Sequence, residues 1–238
     1  INYDELVDTV DVGDRITVDN GIINLKVLHK NENGTMQCEV VDGGILKSKR
    51  HVNLPGIRVN LPAITKKDKE DILFAAEQQV DFIALSFVRE AQDIRDLNEL
   101  IGDKAGKIKV IAKIEDQSGV ENLAEIIDEA DGIMVARGDL GVEINVAELP
   151  NVQRRIVQQC AEKGKRVIVA THLLESMIEN PIPTRAEVTD VANAIYEEVD
   201  AVMLSGETTV GRHPVRCVEQ LVEIAEATES FTGLNFTR

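Results

Sequence analysis

The segment Lys109-Val110-Ile111-Ala112-Lys113-Ile114-Glu115-Asp116 decides how this sequence folds. An apolar run of strand length ends on a lysine and two acids. Gly132-Ile133-Met134-Val135-Ala136-Arg137-Gly138-Asp139 repeats the pattern further on. Working outward, residues 82–87, 166–170 and 201–204 are further runs of this kind, and amphipathic stretches of helical length lie between them. Thr65-x-x-Asp68, Ser118-x-x-Glu121 and Thr184-x-x-Glu187 read as capping boxes that start helices, and Gly164 reads as a helix end. Five successive strand–helix units predict an α/β fold with a parallel sheet, either doubly wound or a (β/α)8 barrel. In both, ligands gather at the C-terminal ends of the strands.

Residues 1–51 have another texture. Strands are predicted over 15–18, 22–27 and 36–41. The turn signals Asp19-Asn20-Gly21, Asn31-Glu32-Asn33-Gly34 and Asp42-Gly43-Gly44 punctuate them. So few strands make a poor core alone, so this reads as part of a small β module.

Composition narrows the function. Hydrophobic residues make up 43% of the 238, aromatics only 3%, and Trp is absent, so the core is aliphatic, as suits buried parallel strands. The 42 acidic residues outnumber 26 basic ones, a net charge of −16 that disfavours nucleic acid and anionic membranes as partners. Cys38, Cys160 and Cys217 lack metal-ligand spacing and read as free thiols of a reducing compartment. No apolar run approaches the roughly 20 residues of a membrane span, and no signal-peptide pattern opens the chain, so a cytoplasmic location is expected. Neither G-x-G-x-x-G after a strand nor G-x-x-x-x-G-K-[ST] occurs, which removes the main support for dinucleotide and P-loop readings.

The chemistry sits at the strand ends. Ser86 follows the first run, and Lys113, Glu115 and Asp116 close the second. Arg137, Gly138 and Asp139 follow the third, Thr171 and His172 the fourth, and Ser205, Gly206 and Glu207 the fifth. Lys113 and Glu115 are two apart, so they share a strand face with Ile111. They form either an internal ion pair or a ligand site. Glu115 and Asp139, from adjacent strands, repel unless a cation joins them; oxygen ligands in small number suit Mg²⁺ or Mn²⁺. The alternative is that each acid caps a helix start, Asp139 at Leu140-Gly141. The glycines around Asp139 allow close backbone approach to an anion, or simply a tight turn. Thr171 has the alternative of bonding only to backbone, and Arg185 of lying in solvent or in a subunit contact.

Together these segments resemble the pyruvate kinase family. The resemblance is carried by Val52-Asn53-Leu54-Pro55-Gly56, Phe82-Ile83-Ala84-Leu85-Ser86-Phe87-Val88-Arg89 and Ile111-Ala112-Lys113-Ile114-Glu115. It continues in residues 132–141, in Leu174-Glu175-Ser176-Met177-Ile178 leading to Pro181-Ile182-Pro183-Thr184-Arg185-Ala186-Glu187, and in Asp200 to Thr208, all in family order. The resemblance implies an incomplete TIM (β/α)8 barrel over residues 52–230. Residues 1–51 would be part of an inserted small β-barrel lid domain, and 231–238 the start of a link to a further domain. It implies phosphoryl transfer from phosphoenolpyruvate to ADP in glycolysis, giving pyruvate and ATP. Metal ligands are then Glu115 and Asp139, and Lys113 is the cation on the transferring phosphoryl group. The Ala136-Arg137-Gly138-Asp139 backbone becomes a substrate carboxylate pocket, with Thr171 a hydroxyl near the carbon that takes up a proton.

Two departures accompany it. His172 stands where the family often has Gln or Asn, with Leu173 for a usual Met. Asp19-Asn20-Gly21 keeps one acid of an often-seen pair, which leaves a lid role to Asp19 or a plain hairpin turn there. The family also implies Mg²⁺ or Mn²⁺, possible K⁺ with ligands outside this chain, and a homotetramer. Because five strands cannot close an eight-stranded barrel, this polypeptide alone is expected to be inactive. Two other readings stand beside it: a truncated non-catalytic fragment or binding module, and another metal-dependent phosphoenolpyruvate or pyruvate barrel enzyme such as an aldolase or lyase.

Overall fold

A computed structural model describes residues 3, 5–19, 21–46, 48, 50–57, 62–104 and 106–231. Asn20 of the first turn and residues 232–238 of the expected link lie outside the described residues.

The polypeptide forms two sheets. The first is antiparallel and joins β1 (Arg15–Val18), β2 (Ile23–Lys30), β3 (Met36–Asp42) and β4 (Val52–Asn53) in the order β3-β2-β1-β4. Its turns use backbone that few side chains tolerate: Gly34 has φ 75°, and Asp19 has φ 57° with its carbonyl accepting from the Ile22 amide. The module's core is small, with Leu6, Val10, Ile16, Val27 and Leu54 buried together.

The second sheet is parallel and holds β5 (Phe82–Leu85), β6 (Lys109–Ile114), β7 (Gly132–Ala136), β8 (Arg166–Ala170) and β9 (Ala201–Met203). Its spatial order, β5-β6-β7-β8-β9, is also the chain order. A doubly wound sheet would reverse order at a switch point; this one runs in a single direction, as an arc of barrel wall does. Side-chain parity divides the two faces. Val110, Ala112, Ile114, Ile133, Val135, Val167 and Val169 join Ile94, Leu97, Ile126, Ile156 and Val191 of the helices in one large cluster. Each fully buried Ile or Leu there is worth roughly 1.5–3 kcal/mol. On the other face Ile111, Met134 and Ala170 form a separate, smaller cluster with Ile168 and Met203. Lys113 follows Ile111 onto that inner face.

Local signals set several helix starts. Thr65 and Thr184 close capping boxes with Asp68 and Glu187 and open the helices Lys66–Glu77 and Arg185–Tyr196. Gly164, at φ 65°, follows the end of Leu149–Glu162. The Ser118 box does not form: Asp116 caps the helix Gln117–Glu121 by accepting from the Gly119 amide, so Ser118 falls inside the first turn. Asp caps as well as Ser and comes first along the chain.

The N-terminal edge of the parallel sheet carries a repeated brace. Asp131, just before β7, accepts from the Val110 amide at 2.9 Å and from the Lys109 ammonium at 2.8 Å. Asp200, just before β9, accepts from the Val167 amide at 2.8 Å and pairs with Arg166. These acids lie at the strand starts, opposite the end where the reactive residues collect.

Candidate active site at the strand ends

Lys113 reaches the mouth of the sheet at the end of β6. Its ammonium lies 2.7 Å from Glu115 Oε1 and donates to Ser86 Oγ at 2.8 Å. The second Glu115 oxygen accepts from the Phe87 amide at 2.7 Å. Glu115 is only 1% exposed, so its charge would be costly without these partners. Phe87 offers its amide by bending to φ 50°, a conformation rare for a large side chain. Asp116, the third charge after β6, serves the scaffold: it caps a helix and pairs with Arg89 at 2.9 Å. The ion pair read as one alternative therefore forms, and it sits where a ligand would meet it.

The mouths of β7 and β8 are tied together. Arg137 is 7% exposed and turns away from the opening. Its Nη2 and Nε donate to the Thr171 carbonyl at 2.7 and 3.2 Å, and its Nη1 reaches Asp190 at 2.8 Å. The Thr171 hydroxyl donates to the Ala170 carbonyl at 2.7 Å and accepts from the Gly138 amide at 2.6 Å. Thr171 and His172 both have positive φ, 69° and 55°. Two successive left-handed residues without glycine cost on the order of 1–3 kcal/mol each, and these bonds hold them in place. A Cβ on Gly138 would lie 3.3 Å from Thr171 Oγ1, a tight contact that would press on this hydroxyl. Glu207, fully buried, closes the next gap by accepting from the Leu174 and Ser205 amides.

Asp139 lies in the first turn of the helix Arg137–Glu143, which begins after Ala136, so the cap position falls elsewhere than on Asp139. Its carboxylate is partly exposed and faces the β module, where His51 Nδ1 stands 3.7 Å away. One turn later, Glu143 accepts from Asn53 Nδ2 at 2.8 Å. Burial pushes the Glu143 carboxyl up; the Asn53 bond opposes this, while nearby Asp116 and Asp139 add to it. Asp19 does not join the strand-end residues by any direct contact; its carboxylate pairs with Arg50 at 3.2 Å.

The site thus contains one tight group, Lys113, Glu115 and Ser86, and a second, Arg137, Gly138 and Thr171, on neighbouring strands. No direct bond joins Glu115 to Asp139. Their donors are oxygens only, and β6 and β7 are paired up to Ile114 and Val135, one residue before Glu115 and Ala136. This set fits a hard divalent cation. Among the described residues no three His, Cys, Asp or Glu side chains gather as a ready cage, so such an ion would complete its shell with substrate and water. Asn53, Glu143, Asp190 and His51 escape sequence reasoning as parts of the site. Only the four-residue step from Asp139 to Glu143 hinted that both share a helix face.

The chain is similar to known proteins over nearly its whole length. The family model described as pyruvate kinase, barrel domain, matches residues 1–218. A pyruvate kinase of Geobacillus stearothermophilus is 51% identical over 231 residues, covering 96% of this chain and 39% of that protein. That of Clostridium perfringens is 45% identical over 238 residues, covering 99% of this chain and 50% of its own length. A Staphylococcus aureus pyruvate kinase is 47% identical over 231 residues, covering 97% and 40%. The chain therefore spans about four-tenths to half the length of these relatives. No helix among the described residues is long and apolar enough to cross a membrane.

Proposed function

We propose, because this chain belongs to the pyruvate kinase family through its barrel domain, that it serves the transfer of a phosphoryl group from phosphoenolpyruvate to ADP. A β-phosphate oxygen of ADP attacks the phosphorus, the bond to the enol oxygen breaks, and the enolate left behind takes a proton at carbon to give pyruvate. The protein's contribution to such a reaction is positioning and charge. The observation that carries the reading is the Lys113 ammonium, held 2.7 Å from a buried carboxylate at the strand mouth. A cation fixed there is oriented before the reaction starts, so it can stabilise charge on a transferring phosphoryl group without reorganising.

Glu115 and Asp139 are the acids that would hold Mg²⁺ or Mn²⁺. Such an ion, when bound, neutralises phosphoryl and carboxylate oxygens and polarises the substrate. The amides around Ala136, Arg137, Gly138 and Asp139 lie at a helix start and suit the substrate carboxylate. Gly138's is shared with Thr171 Oγ1. The Thr171 proton is directed to a backbone carbonyl, which supports a role in ordering a water that delivers the proton rather than giving up its own. K⁺, a cytoplasmic location and a homotetrameric state belong to the same reading.

The test is phosphorus NMR of the natural full-length protein with phosphoenolpyruvate, ADP and Mg²⁺. Growth of the ATP γ-phosphate signal as the phosphoenolpyruvate signal falls is expected. Consumption of phosphoenolpyruvate without ATP, or cleavage of an aldol substrate instead, would sink the proposal.

A further inference from the structure

The β module meets the strand-end site along a seam built by two short elements. On the helix Arg137–Glu143, Asp139 and Glu143 are four apart and share one face. On the chain entering and forming β4, His51 and Asn53 are two apart and share one side. The two pairs face each other in step: His51 opposite Asp139 at 3.7 Å, Asn53 opposite Glu143 at 2.8 Å. The rungs differ in kind. His51 is 67% exposed and beyond hydrogen-bond distance, whereas Asn53 is 6% exposed and bonded. The first is a loose, exposed contact; the second is buried and bonded.

We propose that the Asn53–Glu143 hydrogen bond is the pivot that sets the β module over Asp139, which makes Glu143 a positioning residue for the phosphoryl transfer proposed above. Asn53 belongs to the strand that pairs directly with β1, with Thr17 as its cross-strand partner. Force on Asn53 is therefore passed into the module's sheet. Asn53 Oδ1 and Thr17 Oγ1 are buried without a hydrogen-bond partner among the described residues. The bond to Glu143 is thus the polar tie at this point of the seam, and losing it would leave the amide unpaired on its donor side as well. An open groove of about 560 Å³, lined by Arg15, Gly21, Pro55 and the segment Gly141–Val146, flanks the tie. Glu143 acts through Asp139, on the same helix, and through the module; it touches none of Lys113, Glu115 or Thr171 directly. The proposal rests on the phosphoryl-transfer reading for its kinetic consequence but not for its structural one.

The two consequences are measured separately in the natural full-length protein. Spin labels at Glu32→Cys in the module and Glu162→Cys on the barrel, in a Cys38→Ser background, report the module's position by pulsed electron resonance. Glu143→Ala and Asn53→Ala should each broaden the distance distribution, Glu143→Gln should not, and the double Ala variant should equal the single ones. In steady-state assays both Ala variants should raise a substrate KM about tenfold, the scale of one buried hydrogen bond, while Glu143→Gln, which keeps the acceptor, stays near the parent. A variant that merely lost folded protein would lower kcat with KM unchanged. If the distance distribution of Glu143→Ala matches the parent, the pivot is wrong. If the distribution broadens but the parent transfers no phosphoryl group, the pivot stands and the functional reading falls.

Discussion

The guanidinium of Arg137 closes on the carbonyl of Thr171 through two hydrogen bonds, 2.7 and 3.2 Å long. The Arg137 side chain, beside the backbone read from sequence as a substrate pocket, is the brace that keeps a strained strand end in shape. Arg137→Lys keeps the charge but loses the planar fork, so it cannot serve Thr171 and Asp190 together. We expect it to cost about 2 kcal/mol of stability, from hydrogen bonds to a charged group lost in a buried place. It should also lower kcat, because Thr171 is no longer fixed. Urea unfolding beside steady-state kinetics checks this; unchanged values for both would show that the brace is dispensable.

In the natural full-length protein, and for the phosphoryl transfer proposed above, Lys113→Met should reduce kcat at least a hundredfold, the usual scale for removing one preorganised electrostatic group. Substrate KM should change far less, because the charge matters most where phosphoryl charge is redistributed. Glu115 would keep the Phe87 amide but lose its counter-charge, so some loss of stability accompanies the kinetic effect. A kcat within about tenfold of the parent, only 1.4 kcal/mol, would remove Lys113 from the proposed role.

Glu115→Gln and Asp139→Asn should both raise the Mg²⁺ concentration needed for half-maximal rate, and Mn²⁺ should restore part of the loss. The two differ in their surroundings. Glu115 is buried under Lys113, whereas Asp139 is partly exposed and meets His51 loosely. Asp139→Asn should therefore leave stability unchanged. Direct Mn²⁺ titration followed by electron paramagnetic resonance, in the presence of phosphoenolpyruvate, reads binding without turnover. Equal Mn²⁺ affinity in the parent and both variants would place the ion elsewhere.

What the sequence showed and hid follows from range. Lys113 and Glu115 were legible because strand parity is local: two residues apart means one face, and Ile111 fixes which face is inward. The barrel-like winding was not decidable between two architectures, since spatial strand order is a tertiary property. The Ser118 box lost to Asp116 because two capping residues competed within one turn. Arg137's inward turn depends on Asp190, 53 residues away, and Glu143's role on Asn53, 90 residues away. No periodicity reports such partners. The left-handed backbone of Thr171 and His172 was equally hidden, because a β-branched Thr gives no signal for positive φ and a single His only a weak one.

The ion-paired acids at the strand starts make stability depend on pH. Burial alone would raise the Asp131 carboxyl, but the Lys109 ammonium and the Val110 amide outweigh it and hold the group below the usual carboxylate range. Asp200 is held down in the same way, burial being outweighed by Arg166 and the Val167 amide. A carboxyl whose folded value lies below its unfolded one, about 4, stabilises the fold above that unfolded value. The contribution fades as pH falls through the folded value. Asp131→Asn and Asp200→Asn can still accept from the amides but lose the ionic partner. Each should therefore be less stable than the parent at pH 7 by on the order of 1 kcal/mol, a modest figure because both pairs are partly exposed. The gap should shrink as pH drops below about 4, where the parent's own acids take up protons. Urea midpoints measured from pH 7 to pH 3 give the comparison. A gap that stays constant across that range would mean that the braces act through shape alone and that their charge contributes nothing.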